Sequence, residues 1–90
     1  MQPPYKLKFT DVAKRELKAL PHAVNQEALL LLRQIASNKT GIITKDAERS
    51  ALDLPDTALW VTKAITPKRQ LFIYFEYTAE NTVIVWRICS

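Results

Sequence analysis

The last strand-like run of the chain, VIVWRICS, holds an arginine, Arg87, between a tryptophan and an isoleucine. A guanidinium suits bidentate contact with a phosphate or carboxylate. Three further cations lie in the same third of the chain: Lys63 inside LWVTKAI, and Lys68 and Arg69 in the turn-like TPKR. Tyr74 and Tyr77 lie in QLFIYFEYT, each with a ring for stacking and a hydroxyl for proton donation. Glu76, the acid of that run, suits pairing with a nearby cation or acting as a base. Lys, Arg and Tyr gathered on one surface supply most of what phosphodiester chemistry needs, with no metal required. Lys14, Arg15 and Lys18 form a second cationic group, expected on one helix face. That face is either solvated charge or a salt-dependent contact to nucleic acid.

Each of these residues also has a plainer reading. Arg87 can lie over apolar surface with its head in water. Lys63 can guard a sheet edge, Lys68 and Arg69 can simply keep a turn soluble, and either tyrosine can fill the core. The composition narrows the choice. A single histidine, His22, and a single cysteine, Cys89, argue against a zinc site and exclude an intramolecular disulfide. His22 reads as structural and Cys89 has no base in view, so neither is assigned catalysis; no cofactor is implied. The formal charge of +4 permits an anionic partner without demanding one. No apolar run approaches the roughly 20 residues of a membrane span. The start, MQPPYKLKFT, lacks a signal-peptide core, which predicts a cytoplasmic protein. The 90 residues are expected to form a single domain over 1–90.

The elements that must position these residues follow from periodicity. Tyr5 to Thr10 alternates apolar and basic, as a half-buried strand does. Thr10 or Asp11 offers an N-cap for a helix carrying Ala13, Leu17 and Leu20 on one side and the three cations on the other. Pro21 ends that helix, since it has no N–H to donate. A second helix over roughly 22–37 shows a broad stripe of Val24, Ala28, Leu31, Leu32 and Ile35, with Leu29 and Leu30 off it. The pair makes an antiparallel hairpin. Gly41 is expected to cap or turn the chain, Thr44 to Leu52 to form a further helical turn, and Pro55-Asp56 to make a turn. Then ALWVTKAI, QLFIYFEYT and VIVWRICS read as three strands joined by the TPKR and AENT turns. The middle one, apolar on both faces, should be central. In the last, alternation puts Val83, Val85, Arg87 and Cys89 on one face and Ile84, Trp86 and Ile88 on the other, with the helices on the Trp86 side. The predicted fold is an α+β two-layer sandwich of order β-α-α-β-β-β. The helical hairpin packs on one face of a mainly antiparallel four-stranded sheet, and the first strand pairs with an edge of the meander.

Three stretches carry a family resemblance. FTDVAKRELKALPHAVNQEALLLLRQIASN is similar to the opening strand end, first helix, Leu-Pro break and second helix of the RelE/ParE superfamily of bacterial toxin–antitoxin toxins. LDLPDTALWV resembles its approach to the second strand, and RQLFIYFEYTAENTVIVWRICS its third and fourth strands. The likeness covers most of the chain, with 39–50 contributing nothing. RelE-like members usually carry an arginine inside the third strand. Here that window is Leu71 to Tyr74, and the nearest arginine is Arg69. ParE-like members place an arginine in the final strand, as Trp86-Arg87-Ile88 does.

The resemblance implies a toxin that cleaves mRNA in the ribosomal A site, or one that inhibits DNA gyrase without chemistry of its own. A RelE-fold protein that keeps only antitoxin binding is a third alternative. All three imply a cognate antitoxin as partner, with Leu29, Leu30 and an exposed sheet edge as docking places. For the nuclease, the expected catalytic set is Arg87, Lys63, Arg69 and Tyr74, with Lys63 approaching Arg87 if the strand register allows. Lys68, Lys14, Arg15 and Lys18 are the expected nucleic-acid contacts.

Overall fold

The computed structural model describes residues 5–37, 45–46, 54, 58–78 and 80–90. The elements are β1 (Lys6–Phe9), α1 (Asp11–Ala19), α2 (His22–Ala36), β2 (Lys45–Asp46), β3 (Leu59–Thr66), β4 (Arg69–Tyr77) and β5 (Thr82–Cys89). One sheet runs β1-β5-β4-β3-β2, so β4 is central, as its apolar sequence requires. β3, β4 and β5 form the antiparallel meander. β1 does join an edge of it, β5, but in parallel register, Lys6 beside Thr82 through Phe9 beside Val85.

The order of the four longer strands and the helical hairpin match the expectation. The sheet gains a fifth, two-residue strand, which pairs with Leu59 and Trp60 of β3. Lys45–Asp46 is extended where a helical turn over Thr44 to Leu52 is expected, and the rest of that span lies outside the described residues. Gly41 and Pro55-Asp56 lie outside the described residues.

Local chemistry explains the helices. Thr10 is the N-cap of α1, its Oγ1 accepting from the Ala13 amide at 3.1 Å. Leu20 is extended and Pro21 begins the next helix, so the chain reverses over two residues. Asn25 Nδ2 donates to the Leu17 carbonyl at 2.9 Å and ties α2 to the end of α1. The α2 stripe is buried as its spacing predicts, with Val24, Ala28, Leu31, Leu32 and Ile35 inside. Leu29 and Leu30 stay 46% and 49% exposed, too open to belong to the core.

That stripe packs on Val61 of β3, Leu71, Ile73 and Phe75 of β4, and Val83, Val85 and Ile88 of β5. Burial of each such side chain favours the fold by roughly 1.5–3 kcal/mol. Tyr77 belongs to this side too. Its hydroxyl donates to the Ile35 carbonyl at 2.9 Å and its ring lies 5.0 Å from that of Tyr5. Burial first, and then Tyr5, push its phenol above the ordinary value. Tyr74, one step out of phase, lies on the face away from the helices.

Candidate functional site

The site is made by an irregularity in β5. Phe75 pairs with Val85, but Tyr74 pairs with Arg87, so Trp86 is an extra residue on one strand. Such a bulge puts two consecutive side chains on the same face. Val83 and Val85 face the helices before it and Ile88 faces them after it, all buried. Trp86 and Arg87 therefore both point, with Ile84 and Cys89, to the face that is helix-free among the described residues. Simple alternation is corrected here: Trp86 does not pack under the helices, and Val83 and Val85 do. Arg87 keeps its expected face, but only because the bulge resets the phase.

The edge of β5 explains why the bulge is tolerated. β1 pairs only with the first half of β5. At Thr10 the chain leaves the sheet and α1 runs beside the second half. The Thr10 amide donates to the Val85 carbonyl at 3.1 Å, and Thr10 Oγ1 donates to the Trp86 carbonyl at 2.9 Å. Farther along, Glu16 Oε1 accepts from the Ile88 amide at 3.0 Å. Side chains of the α1 segment thus do for this edge what a strand partner would otherwise do.

Glu16 also takes Arg87. Arg87 Nε donates to Oε1 at 2.9 Å and Nη2 to Oε2 at 2.8 Å, with the two side chains 32% and 22% exposed. Burial acts to raise the Glu16 pKa, but the bonds from Arg87 and Ile88 and the Arg87 charge outweigh it, leaving the carboxyl below its ordinary value. Bonding to Glu16 in turn raises Arg87, which stays charged. The Cys89 thiol is pushed up by burial and by Glu16, against a smaller opposing pull from Arg87. A thiol held protonated is a poor nucleophile.

Around this pair the helix-free face is aromatic. Tyr74 stands between Arg87 on β5 and Trp60 on β3 in the strand register. The Trp60 and Phe72 rings are 5.7 Å apart, and Trp86 Nε1 donates to Glu76 Oε1 at 3.1 Å. Lys8 of β1, exposed, aligns with Ile84. A shallow cleft beside Arg87 is lined by Thr10, Val12, Leu54 and Trp86. The arrangement offers flat rings for stacking and one guanidinium with donors to spare.

Of the four candidates for catalysis, the structure brings together Arg87 and Tyr74. Lys63 does not join them. It shares the helix face with Val61 and forms an ion pair with Glu27 of α2, because the β3–β4 register sets it beside Leu71. Arg69 reaches Ser90, Nη2 to Oγ at 3.0 Å. Lys68 is exposed in the turn after β3, and Lys14, Arg15 and Lys18 are exposed on α1. Glu16 was not singled out from the sequence, although a signal existed: with Ala13 and Leu20 it occupies the apolar stripe of its helix, an unusual place for an acid. Among the described residues, no group of His, Cys, Asp and Glu could hold a metal ion, and no helix is long and apolar enough to cross a membrane.

No protein-family model matches the sequence and no curated protein does. Solved structures do match. A chain of the RelBE2 toxin–antitoxin complex of Mycobacterium tuberculosis superposes with a TM-score of 0.69 at 20% identity, over 96% of this chain and 90% of that one. A chain of the intact E. coli RelBE toxin–antitoxin complex gives 0.58 at 19% identity, over 93% of both. At such identities the likeness carries the fold, which is RelE-like.

Proposed function

We propose that this chain is the toxin of a toxin–antitoxin pair, and that it blocks translation by cutting mRNA on the ribosome. The carrying observation is the meeting of Arg87 and Tyr74 on the helix-free face of a RelE-like fold. In cleavage of this kind the 2′-hydroxyl of one nucleotide attacks the adjacent phosphate and gives its proton to water, the P–O5′ bond breaks, and the products are a 2′,3′-cyclic phosphate and a 5′-oxygen that takes up a proton. Arg87 would face the charge that develops on the phosphorane. Tyr74 would donate a proton to the leaving oxygen or stack on a neighbouring base. The ribosome would supply the orientation of the mRNA. Lys14, Arg15, Lys18 and Lys68 would add salt-dependent contact to ribosomal RNA. An antitoxin, the partner present in both structural neighbours, would cover Leu29 and Leu30 on α2.

A second reading draws on the Glu16–Arg87 pair and on Lys63 standing on the other face. A guanidinium already held by a carboxylate, with Lys63 turned away to Glu27, also suits a toxin fold that binds without cutting. Such a protein would inhibit DNA gyrase or keep only its antitoxin.

Primer extension on mRNA carried by programmed ribosomes, with the purified chain and its Arg87→Ala variant, tests the proposal. Cuts at the A-site codon that disappear in the variant are expected. Intact mRNA with a folded protein would move the assignment to the second reading, which a gyrase supercoiling assay would then divide.

A further inference from the structure

We propose that Glu16 is a specificity-determining residue that masks Arg87 against generic phosphate binding; the proposal deepens the RNA-binding reading given under Proposed function and rests on it. The geometry is direct. A guanidinium offers an anion two bidentate edges, one through Nε and Nη2, the other through Nη1 and Nη2. Glu16 fills the first with both of its oxygens. Among the described residues nothing bonds Nη1, and Arg87 lines the cleft with Thr10, Val12, Leu54 and Trp86. An approaching phosphate would therefore meet correctly oriented donors on a pair whose net charge is close to zero. Attraction at the free edge is opposed by the carboxylate just behind it.

The mask is also fixed in place. Glu16 Oε1 accepts the Ile88 amide as well, on a strand edge that has no other partner there among the described residues. Swinging the carboxylate away would strand that amide, so a phosphate alone does not readily displace it. A ligand must bring more than charge. The rings beside Arg87, Trp86 and Tyr74, supply the rest by stacking on exposed bases. Single-stranded RNA fits that requirement, and duplex or inorganic phosphate does not. Glu16 acts through Arg87 and so sets which anions the site accepts.

The test uses the full-length chain labelled with nitrogen-15 and follows the Arg87 Nε–H and Trp86 Nε1–H signals as inorganic phosphate is added. Glu16→Gln keeps an acceptor for Ile88 and removes the charge. It is expected to bind phosphate about five- to tenfold more tightly than wild type. Its binding to an RNA oligonucleotide should show a steeper salt dependence, by about 0.7 in the log–log slope. Combining it with Arg87→Ala should abolish the gain. Glu16→Asp keeps the charge but shortens the reach and should fall between, which preserves the test if the glutamine chain does not fold. Equal phosphate affinity in wild type and the folded variants would overturn the mask, as would a gain that survives loss of Arg87. The ribosome assay stays separate. If phosphate binding responds as stated but no variant affects programmed ribosomes, the mask stands and the translation reading falls. If ribosomal cleavage occurs but phosphate affinity ignores Glu16, the mask alone falls.

Discussion

The two halves of β5 are flanked in different ways. From Thr82 to Val85 the strand lies between β1 and β4, its backbone joined to strands on both sides. From Trp86 to Cys89 it keeps β4 but loses β1, and the α1 segment satisfies its outer edge through Thr10 and Glu16. The first half obeys alternation, while the second begins with a bulge. A backbone ladder fixes each residue to one partner and so enforces the period of two. Side-chain acceptors reach over a range of distances and permit an extra residue. Arg87, the residue on which the proposed function rests, is found in the half where the ladder is released.

The largest expected effect tests whether the ordered half carries the stability. Phe75 is fully buried and pairs with Val85. Phe75→Ala should cost about 3–5 kcal/mol, enough to threaten folding of a domain this small. Phe72 pairs with Cys89 in the other half and lies half-buried against Trp60 on the helix-free face. Phe72→Ala should cost about 1 kcal/mol. Urea unfolding of the two variants measures both. Similar losses would mean that the helix-free face contributes as much to stability as the core.

The same contrast explains what could be read from the sequence. The α2 stripe, the Leu20-Pro21 break, the central place of β4 and the place of Leu29 and Leu30 off the stripe were legible, because each depends on local pattern. The parallel pairing of β1 was not, since a short alternating strand fits an edge in either direction. The bulge at Trp86 was not legible for a different reason. It depends on Thr10 and Glu16, some seventy residues away in sequence, and no period in VIVWRICS signals it. The candidate site inherited that limit. Arg87 and Tyr74 are neighbours because of register, and Lys63 is absent from them because register turns it toward Glu27.

Thr10 is the joint between the halves and sharpens the comparison next. Its amide serves Val85, its hydroxyl serves Trp86, and the same oxygen caps α1. Thr10→Ala keeps the amide and loses the other two, for an expected cost of about 1–2 kcal/mol. Thr10→Ser should restore most of it. Amide exchange adds the regional readout: protection at Ile88 should fall in the alanine variant while protection at Val83 holds. A uniform loss across β5 would show that the two halves open as one unit.

The smallest effect is a pH dependence confined to the irregular half. The carboxyl of Glu16 is held below its ordinary value of 4.5 in the folded chain. A depressed carboxylate contributes stability that is fully present above the unfolded value and is lost as pH falls through the folded one. Wild type should therefore be more stable than Glu16→Gln by about 1 kcal/mol or less near neutrality, given a partly exposed pair. That margin should stay constant down to about 4.5 and close below it. Arg87 stays protonated throughout this range, so only Glu16 titrates within the pair. Urea midpoints of the two proteins, measured from neutral into acid, read the margin directly. If it closed above 4.5 instead, Glu16 would not be held as an ion by Arg87 and Ile88.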